Sequence, residues 1–564
     1  MNEFLLNPAI LMMAGGLLAL TLPKRLLGLW AVIVPTLSLF WFLYLPEGES
    51  GQLTLLGMEL ITLRIDHLSF IWTVIFHIAA TLAGLYAWHV KDRQQQVSAL
   101  IYSGAAIGAV LAGDLVTLFI YWELTALSSV MLIWASRTEA ANRAGFRYLV
   151  IQVISGLLLM SGALVIYQTG GSLKFEHIGL EGLSGWLIFI AFGIKCCFPL
   201  LHNWMQDAYP QATVTGTVVL SAFTTKLAVY SLARGYAGED ILVIIGATMT
   251  AFPIFFAVIE NDLRRVLSYS LNNQLGYMVV GVGIGTELAI NGAAAHAFAH
   301  ILYKALLFMS MGAVLHRVGT IKASELGGLY KSMPWTTTFC IIGALSISAF
   351  PLFSGFVTKA MILTAVAGEG QWIIWTVLLF ASAGVVDHSG IKVPFFSFFY
   401  HDAGHRVKEA PWNMLLAMGI TACLCIGIGV YPEPLYAILP YAVDYAPYTT
   451  AHVITQLQLL LFAALAFTTL IRKGWYPEEI HSTNLDFDWV YRRVLPAAAH
   501  LIIAATRRTI DTISLLLSKP AIIIVKRVAN NSLVSTIVTG NPSTGAMVGW
   551  ISILLSLFLM LNFI

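Results

Sequence analysis

The chain has 564 residues, 58% of them hydrophobic and only 11% charged, with a net charge of +2. Soluble globular chains carry about 25% charged residues. A mean hydropathy of +0.80 therefore excludes a soluble body of this size, and the near-neutral balance removes the electrostatic case for nucleic acid. The five cysteines (Cys196, Cys197, Cys340, Cys423 and Cys425) all sit in apolar runs without a CxxC or Cys/His spacing. Neither a disulfide framework nor a metal site is expected. No nucleotide fingerprint, Walker motif or haem motif occurs, so no cofactor and no built-in energy source are expected.

The start of the chain, Met1-Asn2-Glu3-Phe4, has no basic flank before its apolar run. It reads as a retained helix rather than a signal peptide. Runs of the ~20 apolar residues that a bilayer requires begin near Leu6, Leu26, Leu68, Leu100, Leu115, Leu149, Leu187, Thr213, Leu242, Val266, Ile290, Pro334, Trp372, Met414, Ile454 and Met547. The expected fold is all-α and polytopic, with about 14–16 transmembrane helices. Loops after odd-numbered runs hold Lys24, Arg25, Lys91, Arg93, Arg137, Arg143, Arg147, Arg264, Arg265, Arg317, Lys322, Lys331, Arg406 and Lys408. Loops after even-numbered runs hold mostly acids, among them Glu47, Glu49, Glu176, Glu239, Asp240, Glu369 and Glu433. The excess of basic residues in cytoplasmic loops predicts an outside N-terminus. The stretch after Arg472 is first polar (Glu478, Glu479, His481, Asn484, Asp486, Asp488), then mixes apolar clusters with Arg492, Arg493, Arg507, Arg508, Lys519, Lys526 and Arg527. It reads either as a cytoplasmic amphipathic helix or as a solvated linker.

Within the apolar runs lie residues that the bilayer tolerates poorly. A charge at a helix centre costs about 2.5–3.5 kcal/mol on insertion scales. Glu123, Lys195 and Lys226 are each mid-run, and Lys392 follows Asp387 and His388. His296, His300 and Lys304 are spaced i, i+4, i+8 and so share one helix face. Burial and neighbouring charge tune the proton affinity of such groups in opposite directions, and histidine titrates in the range suited to a relay. The row is predicted to pass protons. Each member also has a structural reading: Glu123 as ion-pair glue, His296 as a packed core residue, Lys195 or Lys359 as a lysine snorkelling to the interface. An internal echo links the halves: Gly193-Ile194-Lys195 precedes Pro199, and Gly390-Ile391-Lys392 precedes Pro394. Matching interrupted segments of this kind point to a transporter built from repeats, with Pro199 and Pro394 as the expected helix breaks.

Six ordered motifs resemble the antiporter-like subunit family. These are Trp122-Glu123; Ile194-Lys195 through Pro199 and His202-Asn203-Trp204 to Asp207-Ala208; Lys226; Asp262 through Ser270; His296 through Lys304 and Phe308; and Ser354-Gly355-Phe356-Val357-Thr358-Lys359. The family comprises Mrp-type cation/proton antiporter subunits and the proton-pumping membrane subunits of complex I and of membrane hydrogenases. Size favours the D-like Mrp type. The resemblance implies two inverted five-helix repeats, each with a broken helix holding a central lysine, expected to be Lys195 and Lys392. It implies that Glu123 pairs with Lys195 and that Lys226, His300 and Lys304 connect the two. Two departures stand out. The family's Pro-rich break before the Lys226 helix reads Ala212-Thr213-Val214-Thr215-Gly216-Thr217, and a frequent histidine before Gly-Tyr is Gln274.

The expected organisation is N-terminal helices at 1–97, a first repeat at 98–235 and a second at 236–410. Core helices follow at 411–472, then a cytoplasmic or amphipathic segment at 473–545 and a final transmembrane helix at 546–564. The expected protein is a non-enzymatic proton-translocating subunit of a multisubunit sodium/proton antiporter in a bacterial inner membrane. Its partners would be protons, a monovalent cation, other membrane subunits and lipid. The alternatives are a pumping subunit driven by a redox or hydrogenase module, an energising partner of inorganic-carbon uptake, and a scaffold with degenerate ion sites.

Overall fold

The structure, a computed structural model, describes residues 7–55, 57–481, 484–516 and 550–555. Much of the expected final helix, and Lys519, Lys526 and Arg527, lie outside the described residues. The chain divides into Met1–Asn484 and a separate unit, Leu485–Ile564. Among the described residues nine helices are long and apolar enough to cross a bilayer, and five further apolar helices span 10–17 residues.

The first unit opens with α1 (Pro8–Leu18) and α2 (Leu27–Leu43), then an antiparallel hairpin of β1 (Gly48–Leu55) and β2 (Met58–Ile65). The hairpin is a small addition to a fold that is otherwise helical, as expected. It is bonded to the start of the core: Ile61 N–H donates to Asp114 Oδ2 (2.7 Å) and Gly113 N–H to the Ile61 carbonyl (2.9 Å). Helix α3 (His67–Tyr86) follows.

Two stretches then repeat one element order. The first runs α4 (Arg93–Val110), α5 (Leu115–Trp134), α6 (Glu139–Gln168), α7 (Gly182–Cys196), α8 (Asn203–Ala208), α9 (Val214–Ala222) and α10 (Thr224–Gly235). The second runs α11 (Asp240–Ile259), α12 (Leu263–Ile284), α13 (Glu287–Val318), α14 (Pro334–Ile347), α15 (Ser354–Gly368) and α16 (Trp372–Val385). It continues through a π-helical turn (Val386–Ile391), α17 (Lys392–Pro394) and a second π turn (Phe395–Phe399).

Three local features repeat at matching places. Asp114 caps α5 through the amides of Val116 and Thr117, and Asp262 caps α12 through those of Arg264 and Arg265, each satisfying orphan first-turn donors. Each cap residue also pairs across to a lysine at the same sequence separation, Asp114 to Lys174 and Asp262 to Lys322. The helix is broken after α7 by Cys197 and Leu200 at φ 64° and 72°, and after α14 by Ala349 and Leu352 at φ 55° and 74°. The residues there read Phe198-Pro199-Leu200 and Phe350-Pro351-Leu352. Counting α7–α8 and α9–α10 as one segment each, a repeat has five segments, and an odd number of segments run back and forth starts the second repeat from the opposite end, so the two are inverted.

The expected second break is corrected here. The segment equivalent to the Lys195 region is Ser348–Phe353, between α14 and α15, and the lysine beside it is Lys359. Lys392 instead lies in the last crossing of the second repeat, the counterpart of the α9–α10 crossing that holds Lys226. Pro394 ends the short α17 within a rod that stays helical through π turns. Three residues of identity misled because helix-internal Gly-Ile-Lys carries no turn chemistry, whereas left-handed backbone does.

The unit closes with α18 (Trp412–Val430), α19 (Glu433–Tyr436) and α20 (Thr450–Lys473). In an apolar 18-residue stretch of each, 94% of the residues are buried in α13 and all of them in the α9–α10 crossing, against 17% in α20. The first two therefore form the centre and α20 lies at the periphery. In the second unit α21 (Leu495–Leu516) exposes Leu501, Ile502 and Ile503.

Candidate functional site: a row of buried lysines and histidines

Each ionisable residue is buried by a specific local arrangement. Lys195 is one residue from the end of α7, and its Nζ donates to the Trp122 carbonyl (2.7 Å) and the Thr125 hydroxyl (2.8 Å) on α5. It also lies 4.4 Å over the Trp122 ring. Glu123 does not meet Lys195 in an ion pair within 4 Å among the described residues, and its Oε1 has no hydrogen-bond partner. The carboxylate instead rests over Gly156 on α6, where a Cβ would overlap Oε1.

Lys226 is in the first turn of α10, just past the irregular joint at Phe223 (φ −104°, ψ −69°). Its Nζ donates to the Ser221 carbonyl (2.6 Å), in the last turn of α9. The departure at Ala212–Thr217 is thereby explained. The segment follows a short 3-10 turn, Tyr209–Gln211. Its carbonyls are gathered by the buried Arg264 guanidinium, which donates to Tyr209 (3.3 Å), Ala212 (2.8 Å) and Thr213 (3.3 Å) and to the Thr217 hydroxyl. A cationic clamp from the second repeat thus holds this segment, which has no proline of its own.

The central helix α13 carries His296, His300 and Lys304, all fully buried. His296 contacts the Thr358 hydroxyl (3.1 Å) and Gln274 Oε1 (3.3 Å), which also accepts from Tyr303 (3.2 Å). Gln274 is therefore the polar bridge at the position where the family often has histidine. The rings of His296 and His300 are 6.2 Å apart, and neither His300 nitrogen has a partner. The charge of Lys226 acts on both His300 and Lys304. Lys304 donates to Ser270 Oγ (2.7 Å), and Ser389 donates to the same oxygen (2.7 Å). Lys392 follows three residues after Ser389. Its Nζ donates to the carbonyls of Ala257 (3.3 Å), Val258 (2.6 Å) and Glu260 (2.8 Å) and pairs with Glu479 Oε1 (2.8 Å).

The sequence alone leaves Lys359 open and does not single out Ser270, Ser389 or Glu479 as site residues. Lys359 is 1% exposed and donates to the carbonyl of Ile347 (3.2 Å), the last residue of α14, while lying 4.9 Å over the Tyr277 ring. It is a buried member of the row. The signal is the adjoining Phe350-Pro351-Leu352 turn, which duplicates Phe198-Pro199-Leu200.

A common solution emerges for burying these cations. The last four carbonyls of a helix lack partners and carry about half a negative charge. Lys226, Lys359 and Lys392 each place an ammonium on such a helix end, at α9, α14 and α11. No group of three or more His, Cys, Asp or Glu among the described residues is placed to hold a metal ion.

Buried lysines and histidines along inverted five-crossing repeats define a multi-pass membrane protein of the ion-translocating kind. The family profile described as NADH:quinone oxidoreductase/Mrp antiporter, TM, matches residues 112–384. The chain is 31% identical over 353 residues to a D-type component of the Na(+)/H(+) antiporter of Alkalihalophilus pseudofirmus, covering 58% of this chain and 71% of that protein. It belongs to this antiporter-like family. It is also 25% identical over 420 residues to hydrogenase-4 component B of Escherichia coli, covering 66% of this chain and 62% of that protein. A chain of the Mrp complex from Dietzia sp. shares the fold, with a TM-score of 0.68 at 19% identity over 82% of this chain and 98% of that one.

Proposed function

We propose that the chain is the proton-translocating subunit of a multisubunit monovalent cation/proton antiporter, with sodium as the cation. Protons would pass along Lys195, Lys226, His300, Lys304 and Lys392, with Lys359 and His296 as a branch joined through Thr358 and with Glu123 tuning Lys195. The observation that carries this reading is the Lys304–Ser270–Ser389 bridge. It joins the central helix to the Lys392 crossing by two contacts of 2.7 Å, short enough for hydroxyls to hand on a proton. Unpartnered buried atoms at Glu123, Gln152, Asn272 and His300 support it, since such atoms in an apolar interior are ordinarily satisfied by water. A row of isolated charges would each cost about 2.5–3.5 kcal/mol, and shared partners lower that cost.

The test is proton movement into inverted vesicles holding the complete complex, followed on addition of sodium or potassium. Sodium-driven movement agrees with the proposal. Movement only on addition of an electron donor would favour a redox-driven pump, the second reading, which draws its support from the similarity to hydrogenase-4 component B. We further propose that the segment from Arg137 through the first turns of α6 to Arg147 faces the cytoplasm and the N-terminus the outside. Cysteines introduced at Arg137 or Arg143, both exposed, should react with an impermeant maleimide only in inverted vesicles. Labelling from the outer face of intact cells would reverse the topology.

A further inference from the structure

The polar stretch after the last core helix has no role in the path described so far. It follows the α20 cap at Gly474 (φ 67°) and remains within the first unit. Its residues Trp475, Glu478 and Ile480 are exposed or partly so, yet Tyr476 is buried and the Glu479 side chain is only 6% exposed. Glu479 reaches inward to Lys392, whose side chain is fully buried, at 2.8 Å. Asn484 from the same stretch donates to Glu260 Oε2 (3.3 Å), and Arg265 pairs with Glu260 (3.6 Å). The stretch is thus fastened to the Lys392 crossing through Glu479 and to the loop that joins α11 and α12 through Asn484. Glu479 is the only acid that contacts the Lys392 ammonium through its side chain among the described residues, because Glu260 does so through its carbonyl. Asp387 and His388 on the lysine's own rod, Glu260 and Arg265 beside it, and Lys304 from α13 complete the charged surroundings.

We propose that Glu479 is the carboxylate through which the Lys392 end of the path exchanges protons with the aqueous phase. The inference rests on the reading of the chain as a proton path. The Lys392 ammonium gives its proton to the Glu479 carboxylate, leaving a neutral amine and a carboxylic acid, so the pair keeps zero net charge. The acid then releases the proton to water beside the exposed Glu478. The amine regains a proton from the Lys304–Ser270–Ser389 side, which restores the ion pair. One proton enters and one leaves. Burial raises the proton affinity of the Glu479 carboxyl and the lysine opposes that rise, so the acid form is within reach.

The experiment compares Glu479→Gln, Glu479→Asp, Lys392→Gln and the double Gln variant in inverted vesicles containing the complete complex. Rates of cation-driven proton movement are normalised to the amount of chain in the membrane, and Glu123→Gln serves as the reference for the path itself. Glu479→Gln is expected to lose at least about tenfold in rate, Glu479→Asp to recover part of it, and the double variant to be no slower than Lys392→Gln. A normal rate in Glu479→Gln beside an inactive Glu123→Gln overturns this inference and leaves the path standing. Normal rates in both overturn this inference and the tuning role of Glu123 as well. If Glu479→Gln depletes the chain from the membrane and the neutral double variant restores both chain and rate, the pair is only structural and the inference fails.

Discussion

Lys226→Ala is expected to lower cation-driven proton movement by about 100-fold, within the range that one positioned proton-transfer group contributes, while the chain still inserts and assembles. Lys226 is fully buried on the α9–α10 crossing and acts electrostatically on both His300 and Lys304. Its removal separates the Lys195 region from the central helix. Insertion should survive because the change also removes a charge whose placement in the membrane costs about 2.5–3.5 kcal/mol. Lys226→Arg should be equally impaired, since a guanidinium stays protonated at any working pH. Full activity in the arginine variant would end the idea that this position carries protons. An inactive alanine beside an active arginine would mean that a fixed positive charge is enough.

The second large effect concerns the carboxylate. Glu123→Gln keeps the size and hydrogen-bonding capacity of the side chain and removes only its charge. It is expected to reduce proton movement by about 100-fold or more if the charge sets when Lys195 releases its proton. Gly156→Ala offers an independent approach. The new Cβ would overlap Glu123 Oε1, so the carboxyl must turn away from α6 without any change in chemistry. We expect this variant to slow transport by about tenfold, an intermediate loss. Normal transport in the glutamine variant would make Glu123 a tie between helices. Normal transport in Gly156→Ala alone would show that the carboxyl works from more than one place.

Much of the site is legible in the sequence because a membrane makes charge conspicuous. Glu123, Lys195, Lys226, His296, His300, Lys304 and Lys392 stand out against apolar neighbours, and all but the half-buried Glu123 are fully buried. The hairpin between α2 and α3 escapes a reading of hydropathy because Gly48–Leu55 is weakly apolar and draws its stability from bonds to Gly113 and Asp114, residues distant in sequence. The second helix break is misplaced when a short identity outweighs turn chemistry. That helix ends hold the lysines cannot be read at all. Whether Lys392 meets the end of α11 depends on how two crossings pack, and neither segment carries a sign of the other.

The seating of ammonium groups on helix ends has a mechanical consequence. At Lys226 the bond to Ser221 spans the joint between α9 and α10, and at Lys359 the bond to Ile347 spans the gap between α14 and α15. A charged ammonium is drawn to the partial negative charge of these ends, whereas a neutral amine is held only by an ordinary hydrogen bond, roughly half as strong. On the proposed path each departing proton would loosen a hinge and each arriving proton would tighten it, so that occupancy and bend would become a single variable at both joints. A proton moving along the proposed row would then be accompanied by a travelling change in stiffness, which a neighbouring protein could sense, or impose, by pressing on the helices without touching an ion.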